Sequence, residues 1–260
     1  MEVKEFSKKG KDKIMLIPGT MMNWRQFDTV IPYLEKGYHI IAVSTDGFDG
    51  SGDTVFTTAE ASARKIAEYI NSHLDGNIQL VFGESFGCAS AAALFNSKLA
   101  RVDAMILNGA QCMDFGIFTD LIMDIIPKNQ YSFIRKLERT KKTGKMPVMM
   151  KLFTHTKEQN MMDMLGKISP NISLETLENC VKEAKKLYKD IERYTPDKNA
   201  KVSIWYGAKE PNMKKAIKIL RSVYPNAEEH PFRGLGHGEV IAHPKYMAKE
   251  IIKFMESRDA

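Results

Sequence analysis

Three cysteines among 260 residues, Cys88, Cys112 and Cys180, are too few and too scattered to form a disulfide framework, and no pair has metal-ligand spacing. They are expected to be reduced, small apolar side chains. No apolar run is long enough to span a bilayer, and Met1 to Lys13 is charged and polar where a secretory signal needs an apolar centre. The expectation is a cytoplasmic protein without membrane insertion. There is no G-x-G-x-x-G pattern and no P-loop lysine, so no nucleotide cofactor is implied. The stretch Asp46-Gly47-Phe48-Asp49-Gly50-Ser51-Gly52-Asp53 alternates aspartate with glycine but lacks the spacing and terminal glutamate of a calcium loop; it reads as glycine turns, and no metal is expected.

The formal charge is +6, and the basic residues gather in the run Arg135, Lys136, Arg139, Lys141, Lys142 and Lys145. No aromatics are interleaved there to stack bases, so the run reads as a solvated helix face and no nucleic acid partner is expected. The competing reading is that it draws an anionic substrate toward a pocket. At this length the chain can bury a substantial core as one domain.

What is present is more informative. Gly83-Glu84-Ser85-Phe86-Gly87 follows the apolar run Ile78 to Phe82 and leads into the alanine-rich segment Cys88 to Phe95. Small residues around Ser85 let a strand and a helix meet at a sharp angle, which holds the hydroxyl out of the sheet and leaves the Phe86 N–H facing a potential oxyanion. Without partners such a serine would be an ordinary turn residue. Two partners follow in order. The run Val202 to Tyr206 reads as a buried strand, and Gly207-Ala208-Lys209-Glu210-Pro211 places a carboxylate on the loop at its end. Gly234-Leu235-Gly236-His237-Gly238 then sets a histidine in a sharply turned loop. Serine, acid, histidine is the chain order of one serine-hydrolase architecture, and each type suits its task. A neutral hydroxyl needs a base that is unprotonated near neutral pH, and the base needs a carboxylate to orient it and support its positive charge. Ser85, Glu210 and His237 are therefore the candidate nucleophile, acid and base, with Asp114 the substitute acid and Glu84 a structural neighbour.

With these residues the chain resembles the α/β-hydrolase superfamily over nearly its whole length. The matching pieces are Leu16-Ile17-Pro18-Gly19-Thr20, the glycine-rich stretch from Asp46 to Gly52, the elbow at Ser85, the acid loop at Glu210 and the histidine loop at His237. It departs from the superfamily in carrying Pro18 where histidine is common before the glycine, and Glu210 where aspartate is the commoner acid. The resemblance implies an oxyanion hole of backbone N–H groups from Phe86 and from Thr20 or Met21.

Strand and helix alternate through Asn108. Strands are expected at Lys13 to Ile17, His39 to Val43, Ile78 to Phe82 and Val102 to Leu107, with helices at Trp24 to Leu34 and Thr57 to Leu74. Such alternation implies an α/β fold: a mostly parallel central sheet with helices on both faces. From Gln111 to Asn199 the pattern turns helical, with pieces at Phe115 to Ile126, Tyr131 to Lys141, Lys145 to Thr154, Glu158 to Ile168 and Leu174 to Tyr194. This resembles a helical cap inserted before the last strands, so residues 1–110 and 200–260 form the core and 111–199 the cap of one catalytic domain. The cap is rich in methionine, including Met113, Met123, Met146, Met149, Met150, Met161, Met162 and Met164, which can fill a core or line an adaptable apolar pocket. Met22, Trp24 and Met113 are the candidate substrate contacts.

The resulting expectation is a capped serine hydrolase acting on a small or medium carboxylic ester, a small-molecule acyl substrate, through an acyl-enzyme. Thioester, amide, lactone and carbon–carbon cleavage use much the same groups. A non-hydrolytic small-molecule binder on the same fold and an acyltransferase are the alternatives.

Overall fold

Side chains that alternate between two faces build the sheet. In Lys13–Ile17 (β2), Ile14 and Leu16 join one buried cluster while Met15 and Ile17 join another. Asn77–Glu84 (β4) divides in the same way, Leu80 and Phe82 to one side and Val81 to the other. Both faces are apolar, so both must be covered. In this computed structural model, which describes residues 1–7, 12–110, 119–143, 166–189, 194 and 200–257, helices do so.

The other strands are Glu2–Phe6 (β1), His39–Ser44 (β3), Arg101–Asn108 (β5), Lys201–Gly207 (β6) and Glu228–Phe232 (β7), and the sheet order is β1-β3-β2-β4-β5-β6-β7. All neighbouring pairs are parallel except β1 with β3. One face carries Ala59–His73 (α2), Gly87–Ser97 (α3) and Met213–Val223; the other carries Ile31–Leu34 (α1) and Pro244–Glu256. Thr58 caps α2, its hydroxyl accepting from the Ala61 N–H. Among the described residues no helix is long and apolar enough to cross a membrane.

The expected mostly parallel, doubly covered sheet is present, with differences that have local causes. Trp24 to Leu34 is not one helix. A 3-10 turn, Trp24–Phe27, is capped by Asn23, and the α-helix starts afresh at Ile31, because Pro32 lacks an N–H and fits only a first turn. The two edge strands, β1 and β7, had no counterpart in the sequence reading, nor did the helices Met213–Val223 and Pro244–Glu256. Each edge strand is short and pairs on one side only, and β7 contains Pro231, which only an edge tolerates.

Of the expected cap pieces, Leu174–Lys189 is helical, with Ser173 Oγ accepting from the Thr176 N–H. Residues 119–126 of the piece Phe115 to Ile126 and the piece Tyr131 to Lys141 belong to one helix, Thr119–Thr143, that runs through Pro127, and residues 115–118 lie outside the described residues. Cys112, Met113, Asp114, the piece Lys145 to Thr154 and all but the last three residues of the piece Glu158 to Ile168 lie outside the described residues, as do the side chains of the cap methionines. Arg135, in the basic run, pairs with Glu138 at 2.7 Å and donates to the Ile172 carbonyl at 2.7 Å, tying the helix Thr119–Thr143 to the segment that leads into Leu174–Lys189.

The exit limb of this helical region is bound to the core. Ser169 donates to the Phe48 carbonyl at 2.6 Å, and Thr176 Oγ1 accepts from the Phe56 N–H at 3.3 Å. Phe48, Phe56, Ile134, Ile172, Leu177 and Cys180 form a small buried cluster of their own, against which Phe86 packs. Asp49 serves the turns of the glycine-rich stretch, accepting from Ser51 and from Thr54, whereas Asp46 accepts from the N-terminal ammonium and from Lys65.

Candidate active site

The sheet register brings the site together. Ile17 lies beside Gly83, Glu84 beside Asn108, Asn108 beside Trp205 and Gly207 beside Phe232. The carboxyl ends of five adjacent strands are thus level, and the loops beyond them converge on one rim, where open α/β sheets hold ligands.

Ser85 occupies the turn between β4 and α3 with φ of +51°, a left-handed conformation that a non-glycine residue adopts only when its surroundings impose it. They do: its N–H donates to the Asn108 carbonyl at 2.7 Å, and a Cβ on Gly87 would stand 2.5 Å from the carbonyl oxygens of Ile17 and Pro18. Only glycine lets the first turn of α3 lie so close to the loop after β2.

His237 Nε2 lies 2.9 Å from Ser85 Oγ, and its Nδ1 lies 2.8 Å from Glu210 Oε2. A carboxylate only accepts, so Nδ1 carries the proton and Nε2 is left to accept from the serine hydroxyl. The second oxygen of Glu210 accepts from the Gly207 N–H at 2.7 Å. The Glu210 side chain is 1 % exposed, that of His237 40 %. The hydrogen bond to Glu210 raises the His237 pKa above its ordinary value against the opposing effect of burial, and Glu84 adds to the rise.

The loop after β2 is a tight turn in which the Met22 N–H donates to the Gly19 carbonyl at 3.2 Å, with Met21 at φ of +68°. Thr20 and Met21 form its corners. Their N–H groups, like that of Phe86, have no partner among the described residues, and all three residues line the cavity. The Gly19 N–H is accounted for differently: it donates to Gln26 Oε1 at 2.9 Å. Pro18 contributes no polar side chain of its own, and Gln26 braces the loop from the next turn. Ser169 donates to the Met21 carbonyl and Asn23 to the Lys167 carbonyl, so the loop is also tied to the segment before Leu174–Lys189.

A cavity of about 530 Å³ opens beside Ser85, ample for a small organic substrate. Met22 lines it, together with Ala110, Ile126 and Val181. Trp24 does not: its ring lies tilted against that of Phe6, centroids 5.7 Å apart, and packs on the cluster on the α1 face of the sheet. Two residues here had no functional role in the sequence reading. Gln26 was hidden inside an expected helix. Asn108 is fully buried, and its polar side chain at the end of an apolar strand was the available signal.

Among solved structures, an alpha/beta hydrolase family protein from Desulfitobacterium hafniense superposes with a TM-score of 0.76 at 19 % identity, covering 98 % of this chain and 100 % of its own. MenH from S. aureus gives 0.71 at 12 % identity, covering 99 % of each chain. A structure from work on carboxylesterases of the thaumarchaeon Nitrososphaera gargenis gives 0.70 at 15 %, covering 99 % and 94 %. At these identities the likeness is one of fold. No curated protein matches the chain. The family model described as "alpha/beta hydrolase fold" matches residues 13–237, and by that match over most of its length the chain belongs to the alpha/beta hydrolase fold family.

Proposed function

We propose that the protein is a serine hydrolase that cleaves a small or medium carboxylic ester through an acyl-enzyme intermediate. The observation that carries this reading is the unbroken hydrogen-bonded chain from Ser85 Oγ through His237 to Glu210, with the serine held on a left-handed elbow at the mouth of a cavity. Fold neighbours described as esterases are in keeping with it.

In this mechanism His237 Nε2 takes the Ser85 proton as Oγ attacks the ester carbonyl, and Glu210 supports the imidazolium without accepting the proton. Negative charge then develops on the carbonyl oxygen, which the N–H groups of Phe86 and of Thr20 or Met21 stabilise. One such donor is worth about 3 kcal/mol. His237 returns its proton to the leaving alkoxide, and the same nitrogen next activates a water to release the acid. Residues 111–199 act as a cap that controls access, Met22 contributes to the apolar wall, and Met113 is proposed as a further substrate contact.

The test is labelling with a fluorophosphonate, native protein beside Ser85→Ala, with intact mass to count adducts. One adduct that depends on Ser85 is expected, together with turnover of short 4-nitrophenyl esters. Failure of the well-folded native protein to label would remove this reading and favour a non-hydrolytic binder; partition of the acyl group to an added alcohol over water would mark an acyltransferase.

A further inference from the structure

Glu84 precedes the nucleophile and is itself 1 % exposed, yet it lies in the cavity wall beside Ser85 and Gly19. Asn108 Nδ2 donates to its Oε2. Oε1 accepts no hydrogen bond among the described residues and faces the histidine loop, where a Cβ on Gly238 would stand 3.0 Å from it. Among the described residues, the groups that act on this carboxyl are neutral or acidic apart from His237. Cys88 on α3 is held as a thiol by burial, Asn108 ends β5, Glu210 follows β6, and Glu239 lies beyond His237 on the cavity rim. No lysine or arginine is among the described residues that line the cavity, although the chain as a whole is basic.

A carboxylate in a water-poor wall acts on charge at a distance, because little solvent screens it. We propose that Glu84 is a specificity-determining residue that selects against anionic substrates and favours esters that are neutral or cationic in the acyl chain. The inference rests on the ester-hydrolase reading above and assigns that site its substrate class. It also runs opposite to the notion that the basic run Arg135 to Lys145 recruits an anionic substrate.

Burial pushes the Glu84 carboxyl up to about 7, with Glu210 adding to the rise and Asn108 and His237 opposing it. Discrimination should therefore strengthen as pH rises through that value and Glu84 ionises. Ionisation of His237 affects all ester substrates alike and cancels from a ratio of kcat/KM values.

The experiment compares three matched esters, 4-nitrophenyl hexanoate, mono-4-nitrophenyl adipate and 4-nitrophenyl 6-aminohexanoate, across neutral pH. The native protein is expected to prefer the neutral over the anionic ester by on the order of tenfold to a hundredfold at alkaline pH, and by less at acid pH. In Glu84→Gln, which keeps an acceptor for Asn108, the ratio should collapse toward that of the native protein at low pH. Hexanoate turnover with equal use of the anionic ester, or a ratio that is flat in pH and unchanged in Glu84→Gln, would overturn the inference. If Glu84→Gln does not fold, the pH dependence of the native ratio decides alone. Absence of turnover of all three esters strikes at the hydrolase reading and is distinguishable from either result.

Discussion

Glu210→Gln isolates the role of the acid because the structure dictates how glutamine must sit. The Gly207 N–H can only donate, and it points at Glu210 Oε1 from 2.7 Å. The amide oxygen of glutamine must stay there, since turning the NH₂ group toward Gly207 would bury two donors against each other. The NH₂ group is then fixed toward His237 Nδ1, in the place of an oxygen that now lies 2.8 Å away. Nδ1 is forced to accept, the imidazole proton moves to Nε2, and that nitrogen can no longer take the Ser85 proton. A wrong-tautomer substitution of this kind costs about 10⁴ in kcat, equivalent to about 5 kcal/mol of transition-state stabilisation. Loss of the carboxylate also lowers the His237 pKa, because its hydrogen bond is the chief cause of the rise. Residual kcat/KM, which increases as the base deprotonates, should then reach its plateau at lower pH than in the native protein.

The assay is steady-state hydrolysis of a 4-nitrophenyl ester across pH, with thermal unfolding to establish that the isosteric variant remains folded. A well-folded Glu210→Gln that retains kcat within about tenfold of native would refute the argument, since no tautomer penalty of the expected size could be present. The acid would then have to be sought elsewhere, with Asp114 the next residue to replace.

Ser85→Ala and His237→Ala should each abolish nearly all turnover, and the double variant should lose little more, because the two act as one unit; additive losses in kcat would contradict this. Gln26→Leu removes the brace on the Gly19 N–H and should lower kcat by about tenfold with little change in KM, measured on the same ester. Gly207→Ala would place a Cβ 2.2 Å from the Gly236 carbonyl oxygen, so a loss of about 3 kcal/mol is expected in denaturant titration, with displacement of the His237 loop. Glu84 is protonated more readily when folded than when unfolded, so its burial opposes stability increasingly as pH rises from about 4.5 to about 7. Glu84→Gln should accordingly be more stable than native above that window, by on the order of 3 kcal/mol, with the difference vanishing below it.

The parts of the fold that were legible are those where burial on two faces leaves a mark on the sequence. Ile78 to Phe82, Val102 to Leu107 and Val202 to Tyr206 are mostly apolar, each with a single polar residue (Gln79, Asp103 and Ser203), because helices cover both sides. The edge strands escape that demand. Glu228–Phe232 mixes glutamate, histidine and proline with one buried phenylalanine, a composition that central pairing would forbid and that edge pairing permits. The helix Met213–Val223 is a different case: Met213, Ala216, Ile217, Leu220 and Val223 are buried at helical spacing, so the signal was present and decipherable.

The site divides along the same line between local and non-local causes. Ser85 announces itself because its strained elbow demands small neighbours in sequence, and the histidine loop because of its flanking glycines. Gln26 carries no such mark. Its meaning depends on an N–H seven residues away that its amide oxygen reaches because a 3-10 turn folds back on the loop. Glu84 is similar, since its position in the motif looks permissive until Asn108, Gly238 and Cys88 close around it. Residues whose backbone is constrained can be read from a chain; residues whose role is set by what packs against them cannot. The charge preference inferred for this cavity belongs to the second kind, and for that reason net charge of the whole chain is a poor guide to it.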